Sequence, residues 1–118
     1  MNNLSRTVHL YTIRLDASAT EVSACRRLLS EDEVARADRF VSKSTADGWQ
    51  VCRARLRQIL ASYCEVEANA IRFTKQENGK PVIAAGLCDA DLHFNLSHSH
   101  HLAVVSVTKV GAIGVDVE

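Results

Sequence analysis

The longest periodic segment of the chain runs from about residue 45 to residue 63. Within it Trp49, Cys52, Leu56, Ile59, Leu60 and Tyr63 recur at steps of three and four residues. On a helix of about 3.6 residues per turn these positions line up as one apolar stripe. A stripe this long must be covered, so the rest of the chain has to supply a sheet or further helices to lie against it. Arg53, Arg55 and Arg57 fall off the stripe and are expected on a solvated face with no chemistry assigned. Gly48 is expected in the first turn or before it, because a helix-interior glycine costs about 1 kcal/mol relative to alanine.

The flanking segments indicate what covers the stripe. Residues 8–15 are rich in β-formers and place His9, Tyr11, Ile13 and Leu15 on one side, as a strand does. Ser18 followed by Glu21, and Ser30 followed by Glu33, are capping-box patterns. Val22, Cys25 and Leu29 recur at helical spacing behind the first, and Val34, Ala37, Phe40 and Val41 behind the second. After Asn69 the period becomes extended. Short runs at 71–73, 81–83, 92–94, 102–107 and 113–118 are expected as strands, with a turn at Asn78 and Gly79. One early strand, then helices, then a group of strands implies an α+β domain: a small antiparallel or mixed sheet covered on one face by helices. Its 118 residues are one domain by length.

Charge narrows the partners. Fourteen Lys and Arg balance fourteen Asp and Glu, so no overall field recruits nucleic acid or an anionic membrane, and any anion site must be local. No stretch approaches the roughly 18 apolar residues of a membrane span, and the N-terminus lacks the apolar run of a signal peptide. Cys25, Cys52, Cys64 and Cys88 are widely spaced with no C-x-x-C pair, which reads as buried free thiols in a reducing compartment. A soluble, cytoplasmic protein is expected.

Three short segments can carry chemistry. In 113–118 (IGVDVE) a strand would place Asp116 and Glu118 on one face and Ile113, Val115 and Val117 on the other. Carboxylates two apart lie about 6 to 7 Å from each other, and their hard oxygens suit Mg²⁺ held together with substrate phosphates. The alternative is an acidic strand face turned to solvent. In Phe94-Asn95-Leu96-Ser97-His98-Ser99, a strand end running into a polar turn, Ser97 and His98 can donate hydrogen bonds to a phosphate. Ser97 and Asn95 can instead satisfy their own turn. In Asn78-Gly79-Lys80-Pro81 a turn fixes Lys80 beside a rigid proline, as a point charge for phosphate or as a solvated hairpin lysine. His98, His100 and His101 do not read as a transition-metal cluster, because adjacent histidines on a strand face opposite ways.

In order along the chain stand L-S-x-D-E-x-x-R-A-x-R-F (29–40), an arginine-bearing helix, I-R-F-x-x-x-x-x-G-K-P (71–81), F-N-L-S-H-S (94–99) and I-G-V-D-V-E (113–118). This constellation resembles the N-terminal half of the 4'-phosphopantetheinyl transferases of the Sfp-like kind. The resemblance implies that residues 1–118 are one half of a pseudo-two-fold fold. It also implies transfer of 4'-phosphopantetheine from coenzyme A to a serine of an acyl, peptidyl or aryl carrier protein. By match to the family motifs, Asp116 and Glu118 would hold Mg²⁺ and, with His98, serve catalysis. Lys80, Ser97 and His98 would contact the nucleotide phosphates of coenzyme A, with Arg36 a further candidate, and Pro81 would shape the adenine side.

The sequence departs from the family in two places. The second half of the family, with its W-x-x-K-E motif, is absent from these residues; the only tryptophan, Trp49, is followed by Gln50-Val51-Cys52-Arg53. The chain is therefore expected to be a fragment, inactive or nearly so alone, its other half supplied in cis or in trans. Near Gly48 many relatives carry a basic residue, for which Lys43 or Arg53 is an inexact substitute. Competing readings are a non-catalytic coenzyme A or carrier-protein binding module and, more remotely, a Mg²⁺-dependent nuclease, which lacks a basic groove for its polyanion.

Overall fold

Three serines open the three helices. In the computed structural model, which describes residues 8–88 and 91–109, the hydroxyls of Ser18, Ser30 and Ser42 accept from the backbone N–H of Glu21, Glu33 and Thr45. Each satisfies a donor that a helix start leaves unpaired. At Ser18 and Ser30 the glutamate side chain returns a bond to the cap's own N–H, so both expected capping boxes form. The helices are α1 (Ala19–Arg26), α2 (Glu31–Asp38) and α3 (Lys43–Cys64). α3 stops where Glu65 turns left-handed, with φ of 57°, and its N–H reaches back to the Ala61 carbonyl.

The strands are β1 (Val8–Arg14), β2 (Phe73–Lys75), β3 (Pro81–Ile83), β4 (His93–His98) and β5 (Leu102–Thr108), with a 3-10 turn at Ala68–Ala70 after α3. β5 is the middle of a three-stranded antiparallel sheet in the order β1-β5-β4, and β2 and β3 pair as a separate antiparallel hairpin. Register puts Tyr11, Val105 and Leu96 in one row and Ile13, Ala103 and His98 in the next. This face sends Ile13, Phe94, Ala103, Val105 and Val107 into a core shared with Val51, Leu56 and Leu60 of α3. Leu56 and Leu60 are fully buried, each contributing about 1.5 to 3 kcal/mol by removal from water. α1 and α2 pack on α3, so helices cover one face of a small sheet, the α+β arrangement expected. The β2–β3 hairpin joins the same core through Phe73, whose ring meets that of Phe94 edge-on at 6.1 Å between centroids.

Four local expectations are corrected. Gly48 lies in the second turn of α3, not at its start. The Ser42 cap and the Lys43–Asp47 ion pair at 2.8 Å begin the helix earlier, and the backbone at Gly48 passes Leu15, whose Cβ is 3.7 Å from where a Gly48 Cβ would stand. Arg57 is buried, not solvated: its helix position falls between Leu56 and Leu60, and its guanidinium finds a carboxylate and carbonyls inside. Cys25 and Cys52 are free and buried, but Cys64 and Cys88 form a disulfide, against the expectation of four free thiols. Their separation of 24 residues conceals a Cα distance of 4.9 Å. Residues 95–98 are strand, not turn, because pairing to β5 continues through His98 opposite Ala103. The expected strand at 113–118 lies outside the described residues.

Candidate functional site

Lys80 stands at the tip of the β2–β3 hairpin. The Gly79 N–H donates to the Gln76 carbonyl at 2.8 Å, and the Gln76 N–H donates to the Lys80 carbonyl at 2.9 Å. The Lys80 N–H donates in turn to Asn78 Oδ1 at 3.0 Å. Gly79 supplies the left-handed φ of 84° that this tight turn demands. Pro81 begins β3 opposite Lys75. Lys80 is therefore held by its backbone, and its ammonium has no ion pair among the described residues.

Ser97 and His98 close β4, and strand alternation sends them to opposite faces. His98 shares the row of Ile13 and Ala103 on the face that packs against the helices, but at its exposed end. Ser97 shares a row with Val104 and Thr12 on the other face. The two therefore flank the strand end rather than pointing together. The chain reverses beyond it, where the Ser99 N–H donates to the Leu102 carbonyl at 2.8 Å.

Arg36, in the last turn of α2, lies with its guanidinium carbon 5.1 Å from the centroid of Trp49. Arg53 of α3 approaches the same ring at 5.1 Å and Phe73 at 4.9 Å. Behind them Glu33 accepts from Arg57 Nε at 2.8 Å and from Arg53 Nη1 at 3.1 Å. Arg57 also donates to the carbonyls of Ala68 at 3.0 Å and Ile71 at 2.7 Å. Burial pushes the Glu33 carboxyl up, but the Arg57 hydrogen bond, the Ser30 N–H and both guanidinium charges outweigh it and hold the carboxyl below the usual range. Arg53 is pushed down by burial, against which Glu33 acts.

Among the described residues, no hydrogen bond or ion pair joins Arg36, Lys80, Ser97 and His98 to one another. They are presented separately by α2, a hairpin tip and a strand end. Asp116 and Glu118 lie outside the described residues. A cleft of roughly 340 Å³ between β1, α1 and α3, lined among others by Tyr11, Glu21, Val51 and Arg55, contains none of the candidates.

A family model described as 4'-phosphopantetheinyl transferase, N-terminal, matches residues 15–110. The chain belongs to the 4'-phosphopantetheinyl transferase family. It is 37% identical over 115 residues to the 4'-phosphopantetheinyl transferase HetI of Nostoc sp., covering 98% of this chain and 48% of that one. It is 30% identical over 111 residues to the 4'-phosphopantetheinyl transferase Sfp of Bacillus subtilis, covering 92% and 48%. The chain thus spans about half the length of these curated relatives. Its fold is shared with a holo-(acyl-carrier-protein) synthase from Bacillus anthracis, solved in complex with CoA (3',5'-ADP), at a TM-score of 0.62 and 19% identity, covering 85% of this chain and 91% of that chain.

Within this member of the family, sequence reasoning missed the ring at Trp49 and the buried charges near it. Trp49 reads as one more stripe residue, and Glu33 as a helix cap. The one available signal was the i, i+4 spacing of Arg53 and Arg57, which places two cations on one helix side.

Proposed function

We propose that this chain is the coenzyme A-binding half of an enzyme that transfers 4'-phosphopantetheine from coenzyme A to a serine of a carrier protein. The observation that carries the reading is the 37% identity with the Nostoc transferase along 98% of the chain. The elements that would carry it are these: Lys80 is fixed by its hairpin, Ser97 and His98 end one strand on opposite faces, and Arg36 lies over an aromatic ring.

In this reading Lys80, Ser97, His98 and Arg36 bind and orient the phosphates of coenzyme A, while Pro81 shapes the adenine side. Lysine acts as a point charge, the serine hydroxyl as a neutral donor, and protonated histidine as a charge-assisted donor. The carrier serine oxygen attacks the phosphorus that bears pantetheine. Its bond to the bridging oxygen breaks, adenosine 3',5'-bisphosphate leaves, and the serine proton passes to a base not assigned to these residues. Asp116 and Glu118 offer the hard oxygens that suit Mg²⁺, which when bound would stabilise charge on the diphosphate. A second half in cis or in trans completes the site, so the 118 residues alone are expected to be inactive or nearly so. In this reading the reaction runs in the cytoplasm, on coenzyme A and a carrier protein rather than on nucleic acid or a membrane, as the balance of fourteen Lys and Arg against fourteen Asp and Glu suggests.

The test is the intact mass of an apo carrier protein incubated with the complete enzyme, coenzyme A and Mg²⁺. A gain of one phosphopantetheine, abolished by Asp116→Ala, is expected. Coenzyme A binding by the complete protein without any gain in carrier mass would overturn the transferase reading in favour of a binding module.

A further inference from the structure

We propose that Trp49 is a positioning residue that holds Arg36 for a phosphate of coenzyme A, with Glu33, Arg53 and Arg57 supplying surplus positive charge behind the ring. The inference rests on the reading above, that Arg36 meets coenzyme A, and adds what makes Arg36 able to do so.

Free, a surface arginine samples many rotamers and loses about 2 kcal/mol of rotamer entropy when an anion fixes it. Arg36 is exposed, yet its guanidinium lies 5.1 Å from the centroid of Trp49. A ring attracts a guanidinium through its negative face without using up the N–H donors turned away from it, and those donors are the part that grips phosphate. Two carboxylates of the same helix are already engaged. Asp38 is bound by Arg26 at 2.9 and 3.0 Å, and Glu33 by Arg57 and Arg53. Arg36 itself has no ion pair among the described residues.

The ring is held in its turn. Arg53, whose side chain is 14% exposed, lies between Trp49 and Phe73 and is tied to Glu33 at 3.1 Å. Phe40 contacts Trp49 at 6.0 Å between centroids. One carboxylate, that of Glu33, faces two guanidinium groups, those of Arg53 and Arg57. The buried cluster therefore keeps one net positive charge, which Arg53 brings to 5.1 Å from the indole centroid, in surroundings where water screens it poorly. A dianion at Arg36 meets that charge as well as the exposed one.

The test compares KM for coenzyme A and kcat in the complete enzyme for Arg36→Ala, Trp49→Leu, Trp49→Phe and the double variant Arg36→Ala/Trp49→Leu. Trp49→Leu is expected to raise KM about three- to fivefold with kcat unchanged, as loss of ground-state binding does. Trp49→Phe, which keeps an aromatic face, is expected to stay within about twofold of the wild type. The double variant is expected to match Arg36→Ala alone, since Trp49 acts through Arg36. Should Trp49→Leu fail to fold, the emission of Trp49, taken as wild type minus Trp49→Phe, is read while adenosine 3',5'-bisphosphate is added. It is expected to change in the wild type and not in Arg36→Ala. A wild-type KM in Arg36→Ala overturns the coenzyme A role of Arg36 itself. A raised KM in Arg36→Ala with no effect of Trp49→Leu, additive effects, or an emission change that survives Arg36→Ala overturns the positioning role alone.

Discussion

Arg57 and Glu33 meet inside the protein, Nε to Oε1 at 2.8 Å, with side chains only 3% and 9% exposed. The contact joins α2 to α3 and, through the Ala68 and Ile71 carbonyls, both helices to the segment that leads into β2. Removing Glu33 would leave two guanidinium groups without their carboxylate. Glu33→Ala is expected to lower the unfolding free energy by about 3 to 5 kcal/mol, the usual cost of breaking a buried ion pair from one side. Urea unfolding of the variant measures it, and a loss under about 1 kcal/mol would contradict the role given to the pair.

The same carboxylate sets an acid limit. Burial raises its pKa, yet the Arg57 hydrogen bond, the Ser30 N–H and the two arginine charges bring the net shift downward. A group with a depressed folded pKa stabilises the fold above its unfolded value, about 4.3 for glutamate. That stabilisation is lost as pH falls from there through the folded value. Stability should therefore drop on acidification below about pH 4.3, and Glu33→Gln should show a shallower drop across that window in urea titrations.

Thiol accessibility should divide the four cysteines into two pairs. Cys64 and Cys88 are bonded to each other, and Cys25 and Cys52 are buried. Burial pushes the Cys52 thiol up to about 11 and also raises that of Cys25, so neither offers much thiolate near pH 8. For the 118-residue chain without reductant, Ellman titration is expected to find almost no reactive thiol in the native protein, two in guanidinium and four after reduction. Cys88→Ser should cost about 2 to 4 kcal/mol; four thiols in guanidinium before any reductant would refute the pairing.

Gly79 tests the hairpin that holds Lys80. A Cβ there would meet nothing within 4 Å, but φ is 84°. Gly79→Ala is therefore expected to cost about 1 to 2 kcal/mol through backbone strain alone, and Gly79→Asn less, since asparagine tolerates this region. Thermal unfolding of the two variants provides the comparison, and equal stabilities would argue against a left-handed turn.

Much of this architecture was legible in the residues. The Ser18 and Ser30 capping boxes, the strand at 8–14 and the Asn78 and Gly79 turn all depend on neighbours a few positions apart, and such interactions leave a local pattern. The stripe from Trp49 to Tyr63 correctly marks one side of α3, though Val51, Ala54, Arg57 and Ala61 are buried with it. Of the candidate site, Lys80 and its turn were readable for the same reason. The opposite facing of Ser97 and His98 was not, because it depends on β4 continuing through both, and β5 determines that extent by pairing.

Sequence alone determined that helices follow Ser18 and Ser30, that a strand precedes them and shorter strands follow α3, and the motif order that marks the family, since all of these are matters of spacing along the chain. Only the tertiary structure decided that Arg57 is interior, that Cys64 reaches Cys88, and that Arg36 and Arg53 share the ring of Trp49. Those contacts join positions 13 to 24 residues apart for Arg36 with Trp49, Glu33 with Arg57 and Cys64 with Cys88. A charge, a thiol or an aromatic ring carries no mark of a distant partner until helices α2 and α3 and the hairpin pack and bring the two together.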